Sequence, residues 1–180
     1  MSILKVARMG HPVLRATARP LDKAEIRSAA IQRLIDDMLD TMREYHGVGL
    51  AAPQVHEGVR LFVASLETGD EDDDREREPP EPIAIINPEI AVVDPTIVTD
   101  WEGCLSVPDI RGRVPRAREI TVRALDRRGG RIELRAHAFP ARVIQHETDH
   151  LDGVLFFDRM ASFESLTFLE EYSRYHKDES

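Results

Sequence analysis

Apolar residues recur at helical spacing in a segment near the N-terminus. Between residues 23 and 45 they lie three or four positions apart, which places them on one face of a helix. Gly47 follows this segment, in the place of a glycine that ends a helix. The pattern predicts one long helix with a buried apolar face, formed by Ile31, Leu34, Ile35, Met38 and Met42.

Short apolar segments bounded by Pro, Asp, Asn or Gly follow along the chain, and they predict strands. Residues 126–130 lie between two of these segments and predict a hairpin connection, because Asp and Gly favour tight turns. The predicted strands are residues 60–66, 83–87, 90–93, 119–125 and 132–138.

Two more helices are predicted in the C-terminal part. One begins near Pro140, which is tolerated in a first helical turn, and ends at about Leu151, before Asp152 and Gly153. The other, over about 162–176, has an aromatic and aliphatic stripe that is more typical of core packing than of a partner surface.

Length and composition are those of an ordinary globular enzyme. With 180 residues, 42% hydrophobic and 32% charged, the chain is expected to form a single catalytic domain over 1–180. Residues 70–82 carry eight acidic and two basic residues and three prolines, so we expect a solvated acidic loop at about 68–82, inserted between neighbouring strands.

Several classes of protein are disfavoured. No apolar run approaches the roughly 20 residues of a membrane span, and residues 1–5 lack a secretory apolar region. Cys104 is the only cysteine, which excludes an intrachain disulfide. The formal charge of -9 argues against nucleic-acid binding. A cytoplasmic protein without membrane contact is expected.

The run at 145–150, QHETDH, predicts metal chemistry. His146 and His150 are four residues apart, so a helix places both rings on one face. Glu147 would lie beside a metal-activated water without being forced to bind the ion, which suits a general base. The alternative is an amphipathic helix whose histidines are surface or core residues.

Cys104 is a candidate third ligand. Two imidazole nitrogens and one thiolate leave a fourth tetrahedral position open, which is typical of catalytic rather than structural zinc sites. The alternative is a small buried hydrophobic residue, the commonest role of a free cysteine. Gly103 and Ser106, which flank Cys104, are not typical of a plain core strand.

The segment 47–54, GVGLAAPQ, is a third candidate. Its glycine spacing is similar to a dinucleotide-binding motif, but that motif needs a preceding strand, and here a predicted helix precedes it. The glycines would instead expose a backbone that another chain can approach. Gln54 carries an amide N–H that could donate to an oxyanion, or it is an ordinary polar loop residue.

With these three motifs in this order, the chain resembles the peptide deformylases. The segments 47–54, 102–106 (EGCLS) and 145–150 match that family's signatures, and the resemblance covers about 6–159. It implies an α+β fold, with mixed and antiparallel strands around a central HExxH metal-binding helix. It also implies removal of the formyl group from N-formylmethionyl nascent peptides, with release of formate.

The resemblance further implies roles for individual residues. Three side chains would bind the metal ion, Glu147 would act as general base, and two N–H donors would stabilise the oxyanion, while a peptide pairs like an added strand beside residues 48–50. The implied metal ligands are Cys104, His146 and His150. The implied catalytic residues are Glu147, Gln54 and Leu105, the last through its backbone N–H. The implied substrate-binding residues are Val48, Gly49, Arg111 and Val143, with His146 also beside the methionine.

Two further expectations concern charged residues near the site. Glu102 and Arg116 are expected to form an ion pair that supports the Cys104 loop. Arg142 is expected to line the mouth of the pocket and to add a positive charge there.

The donor set of two nitrogens and one sulfur alone suggests zinc, whereas the resemblance implies one Fe²⁺ per chain, with Zn²⁺, Ni²⁺ or Co²⁺ as replacements. Formylated nascent peptides are the expected partners, with transient contact to the ribosome and a monomer or weak dimer as the assembly. The alternatives are an HExxH metallopeptidase, which usually has a Glu or a third His as its further ligand, and a non-catalytic relative that binds formyl peptides, which would be expected to lose Glu147.

Overall fold

Within residues 2–66 and 81–177, which this computed structural model describes, six strands form one antiparallel sheet. The strands are β1 (Gly49–Ala51), β2 (Leu61–Ala64), β3 (Ile83–Cys104), β4 (Val107–Leu125), β5 (Arg131–His137) and β6 (Thr167–Phe168). Their order is β1-β2-β3-β4-β5, and β6 pairs with β4. All pairings between these strands are antiparallel. Of the mixed strand directions that were expected, the described residues show only one isolated parallel bridge, between Arg19 and Val59.

Two of the strands are longer than predicted. The segments 83–87 and 90–93 are parts of the single strand β3, and β4 begins well before residue 119. Pro88 and Pro95 indicated strand ends because proline cannot donate to a ladder. In the structure both lie at register shifts between β3 and β4, where the ladder is interrupted and then resumes.

Four helices are described: α1 (Lys23–Ile26), α2 (Ala29–Glu44), α3 (Ala138–Leu151) and α4 (Leu169–Tyr175). The single long helix predicted over 23–45 is wrong, because Ser28 interrupts it and its side chain accepts the N–H of Ile31 at the start of α2. Gly47 does not end α2 either. The left-handed residue after α2 is His46, with φ of 53°.

The C-terminal helix is also shorter than predicted. Residues 162–166 form bends and turns, β6 follows them, and α4 begins only at Leu169. The side chain of Ser165 accepts the backbone N–H of Arg113, so this segment is held by β4 rather than by helical bonds. Most of the predicted acidic loop at about 68–82 lies outside the described residues.

The sheet separates two apolar clusters. On one face Phe62 and Ile85 pack with Ile144 and other residues of α3. On the other face Leu61 and Ile86, their neighbours along β2 and β3, pack with Met38 of α2. Because consecutive strand residues point to opposite faces, a strand covered on both sides is apolar throughout, as β2 is. Among the described helices none is long and apolar enough to cross a membrane.

Candidate metal centre

Three side chains from two elements converge beside the α3 face of the sheet. Cys104 is the last residue of β3, and His146 and His150 lie one turn apart on α3. The Sγ atom of Cys104 is 3.2 Å from Nε2 of His150. One possible ligand atom from each of the three residues lies within 4.8 Å of the other two, and all three residues are buried.

This donor set fits a single transition-metal ion. Bonds from zinc to cysteine sulfur and histidine nitrogen are about 2.3 and 2.1 Å long, and the three donor atoms are close enough together to share one ion. A soft thiolate and two imidazoles suit borderline divalent metals rather than calcium or magnesium. The cluster is therefore a candidate metal centre with three protein ligands.

Cys104 is poised to ionise. Burial alone would raise its pKa, but the positive charge of His150 and hydrogen bonds with His146 and His150 outweigh burial and hold the pKa well below its usual value. The thiolate is the form of cysteine that binds metals.

Glu102 orients the first histidine. Its Oε2 atom is 2.9 Å from Nδ1 of His146, so the Nε2 atom of that ring is left for another partner. A carboxylate on the far nitrogen of a ligating histidine fixes the tautomer and the orientation of the ring. Burial opposes ionisation of Glu102, but hydrogen bonds from His146 and Arg116 lower its pKa to about 2.

The predicted ion pair between Glu102 and Arg116 is present. Arg116 donates from Nε and Nη2 to the two oxygens of Glu102, at 2.9 and 3.0 Å. Its Nη1 atom donates to Asp149, which also accepts from Arg159 at 2.7 Å. These bonds link the β3–β4 hairpin to α3.

The expectation for Arg142 is confirmed only in part: it lines the cavity, but it adds no exposed charge there. Its side chain is only 6% exposed, and its guanidinium is turned toward the β3–β4 hairpin rather than toward solvent. It donates to Oε1 of Glu102 and to the carbonyl oxygens of Val114 and Val98, each at 2.8 Å. Arg142 therefore ties α3 to both strands and adds no exposed charge to the pocket mouth.

Gln54 reaches the same place from the turn that follows β1. Its Oε1 atom accepts the backbone N–H of Ala51 at 2.8 Å, which fixes the orientation of the amide. Its Nε2 atom lies 3.5 Å from Sγ of Cys104 and donates to the hydroxyl of Ser106 at 3.2 Å. Leu105, between these two residues, lines the same cavity.

Glu147 is a buried carboxyl group beside the histidines. Burial raises its pKa, against the lowering effect of positive charge on His146 and His150. Its Oε2 atom has no hydrogen-bond partner among the described residues. Gly49 makes room for it, since a Cβ at that position would lie 2.4 Å from Oε1 of Glu147.

One cavity of about 720 Å³ connects these groups. Its wall includes nine of the ten predicted site residues, and His150 lies just behind it, against Cys104. Arg111 lies against Gly103, where a Cβ would meet its Nη1 atom at 1.9 Å. Sequence reasoning gave no role to Asp149 or Ser106. Both are polar residues within the motifs that carry the candidate ligands, Ser106 in EGCLS and Asp149 in QHETDH. Their place in these motifs is the sequence feature that could have identified them.

Comparisons with known proteins point to one family. The family model described as polypeptide deformylase matches residues 3–165. Peptide deformylase 2 of Nostoc sp. is 44% identical over 172 residues, which cover 94% of this chain and 93% of the relative.

Solved structures give the same result. The Met-Ala-Ser-bound crystal structure of class I type b peptide deformylase from Acinetobacter baumannii has a TM-score of 0.79 and 38% identity, over 89% of this chain and 100% of that one. The peptide deformylase of Thermotoga maritima also has a TM-score of 0.79 and 38% identity, over 90% and 100%.

Replacing Cys104 tests the metal centre directly. A Co²⁺-loaded sample should show thiolate-to-cobalt charge-transfer absorption, and Cys104→Ser should abolish it, because a hydroxyl is a poor ligand for this metal. Ser106→Ala is the matched control and should keep the band, since Ser106 contacts Gln54 and is not among the clustered ligands. Retention of the band in Cys104→Ser would exclude this residue as a ligand.

Proposed function

The chain belongs to the polypeptide deformylase family, metal-dependent hydrolases that remove the N-formyl group from nascent peptides, and we propose that Cys104, His146 and His150 hold its metal ion while Glu147 is the general base. The observation that carries this proposal is the cluster of three possible metal-ligand atoms beside a buried carboxyl group, at a cavity lined by Cys104, His146 and Glu147. We further propose that α3 is the central metal-binding helix.

The ion, when bound, would supply a Lewis acid that lowers the pKa of a water molecule and polarises the formyl carbonyl. The protein residues handle the protons. Glu147 accepts a proton from the attacking water and returns it to the amine of the departing peptide, so formate and a free N-terminus result. The raised pKa of Glu147 supports this role, as does its Oε2 atom, which has no hydrogen-bond partner within the described part of the chain.

The backbone N–H of Leu105 and Nε2 of Gln54 are proposed to stabilise the tetrahedral oxyanion. Donors that are fixed before the reaction stabilise the transition state without the cost of reorganisation. The bond from Ala51 to Oε1 of Gln54 supports this assignment, because it directs the amide nitrogen toward Cys104 and the cavity.

The peptide is proposed to pair with β1 as an added strand. β1 is at the edge of the sheet, and the carbonyl of Val48 accepts the N–H of Ser65 beside β2. Because paired and outward residues alternate in an antiparallel ladder, the backbone groups of Gly49 turn to the free edge. Val48, Val143 and His146 would contact the methionine side chain, and Arg111 would lie near the peptide.

Fe²⁺ is the proposed native metal, with Zn²⁺, Ni²⁺ and Co²⁺ as replacements. The thiolate of Cys104 and the two histidine nitrogens support a borderline divalent metal.

We also propose a single domain over 1–180 that acts as a monomer or weak dimer in the cytoplasm. It would meet nascent chains transiently at the ribosome, because its substrates are made there.

Anaerobic incubation of the Fe²⁺ protein with formyl-Met-Ala-Ser should release formate without cleaving the internal peptide bonds. Glu147→Gln should keep its metal yet lose about 10²- to 10⁴-fold in turnover, because an amide cannot accept the proton. Glu133→Gln, which alters an exposed carboxylate paired with Arg123, is the control and should be unaffected.

Two results would contradict this proposal. Near-normal turnover in fully metal-loaded Glu147→Gln would exclude Glu147 as the base. Internal cleavage of the peptide in place of formate release would favour a metallopeptidase.

The proposed iron predicts sensitivity to air. A redox-active ion beside a thiolate exposes both metal and sulfur to oxidation, so deformylation by the Fe²⁺ form should decay on aeration while the Ni²⁺ form stays active. Formate release is followed over time with the metal content measured alongside. A fully zinc-loaded protein as active as the Fe²⁺ form would argue against iron and leave the ligand assignment unchanged.

A further inference from the structure

The C-terminal segment, residues 166–177, lies beyond the part of the chain that matches the family model, which ends at residue 165. It nevertheless reaches the candidate active site. Leu169, the first residue of α4, lines the same cavity as Cys104 and Glu147. The segment therefore adds to the substrate cavity a residue that the family match does not include.

Two kinds of contact hold this segment in place. β6 pairs with β4, with Phe168 opposite Ile110 and Thr167 opposite Arg111. From α4, the ring of Tyr172 packs edge-on against Trp101, with ring centroids 5.0 Å apart. These contacts fix Leu169 relative to the β3–β4 hairpin that also carries Cys104.

Leu169, Trp101 and Phe139 are large apolar residues that line the cavity, and we refer to the three together as the apolar wall. Leu169 and Trp101 are half-buried, and Phe139 is 54% exposed. Large apolar side chains that stay accessible in a cavity commonly contact a ligand. Phe139 and Val143 are four residues apart on α3 and lie on the same face of that helix, which connects the wall to the candidate methionine site at Val143 and His146.

The geometry of an extended peptide indicates which substrate residue meets this wall. Alternate side chains of a strand point to the same side and are about 6.7 Å apart. If the methionine faces Val143 and His146, the third residue faces the same side of the cavity and the second faces away.

We propose that the apolar wall, completed by the C-terminal segment, binds the side chain of the third substrate residue and favours large apolar residues there. This inference rests on the proposed function and deepens it. Leu169 is the specificity-determining residue, and Tyr172 is a positioning residue that acts through Trp101.

The test compares kcat/KM for formyl-Met-Ala-Leu and formyl-Met-Ala-Ser. The wild-type protein should prefer the leucine peptide, and Leu169→Ala should reduce this preference about tenfold, because apolar pocket contacts of this size are worth about that much. Leu169→Met, which keeps a large apolar side chain, should retain most of the preference for the leucine peptide. Tyr172→Ala should reduce the preference partly, while Tyr172→Phe keeps the ring against Trp101 and should not.

Tyr175→Ala is the matched control, because Tyr175 is on the same helix, is 66% exposed and does not line the cavity. It should leave the preference unchanged.

An unchanged preference in Leu169→Ala, with both peptides still deformylated, would overturn this inference and leave the proposed function intact. If Leu169→Ala instead changed kcat/KM for formyl-Met-Leu-Ser and left the ratio for the two third-residue peptides unchanged, the wall would contact the second residue. That result would overturn the assignment to the third residue. Failure of the wild-type protein to deformylate any of the peptides would overturn the proposed function as well.

Discussion

The buried carboxylate of Glu102 is the interaction on which the site depends. It is hydrogen-bonded to His146, Arg116 and Arg142, which come from α3 and β4. Burying charged groups is costly unless each is paired, and removing one member of a buried pair typically costs about 3–5 kcal/mol. The shared carboxylate therefore holds α3 and the β3–β4 hairpin in one arrangement, and that arrangement brings the ligand atoms together.

This constraint orients the side chains of the candidate metal centre. Glu102 fixes the ring of His146 through Nδ1, and β3 ends at Cys104 two residues later. One strand end therefore supplies both a candidate ligand and the group that orients another. Arg142 contributes to the same arrangement, because it joins Glu102 to backbone carbonyls of both hairpin strands.

The sequence predicted which residues come together around the cavity better than it predicted the strands around them. The two histidines are four residues apart on one helix, so local geometry alone brings them together. The chemistry of Cys104 as a third ligand and of Gln54 as a donor made both residues candidates, and the family resemblance then placed them at one site with the histidines. The length of β3 was missed because Pro88 and Pro95 end strands in most contexts, whereas here the ladder resumes after the register shift at each proline. The orientation of Arg142 was also missed, since it depends on a carboxylate 40 residues away in the chain.

Metal affinity of Glu102→Gln tests this account most directly. Glutamine keeps the size of the side chain and removes the charge that His146, Arg116 and Arg142 share. The affinity for Co²⁺ or Zn²⁺ should fall about 10- to 100-fold, the usual effect of losing a partner that orients a ligand. Glu133→Gln, at an exposed ion pair, should bind metal as the wild type does. Wild-type metal affinity in a folded Glu102→Gln protein would contradict the account.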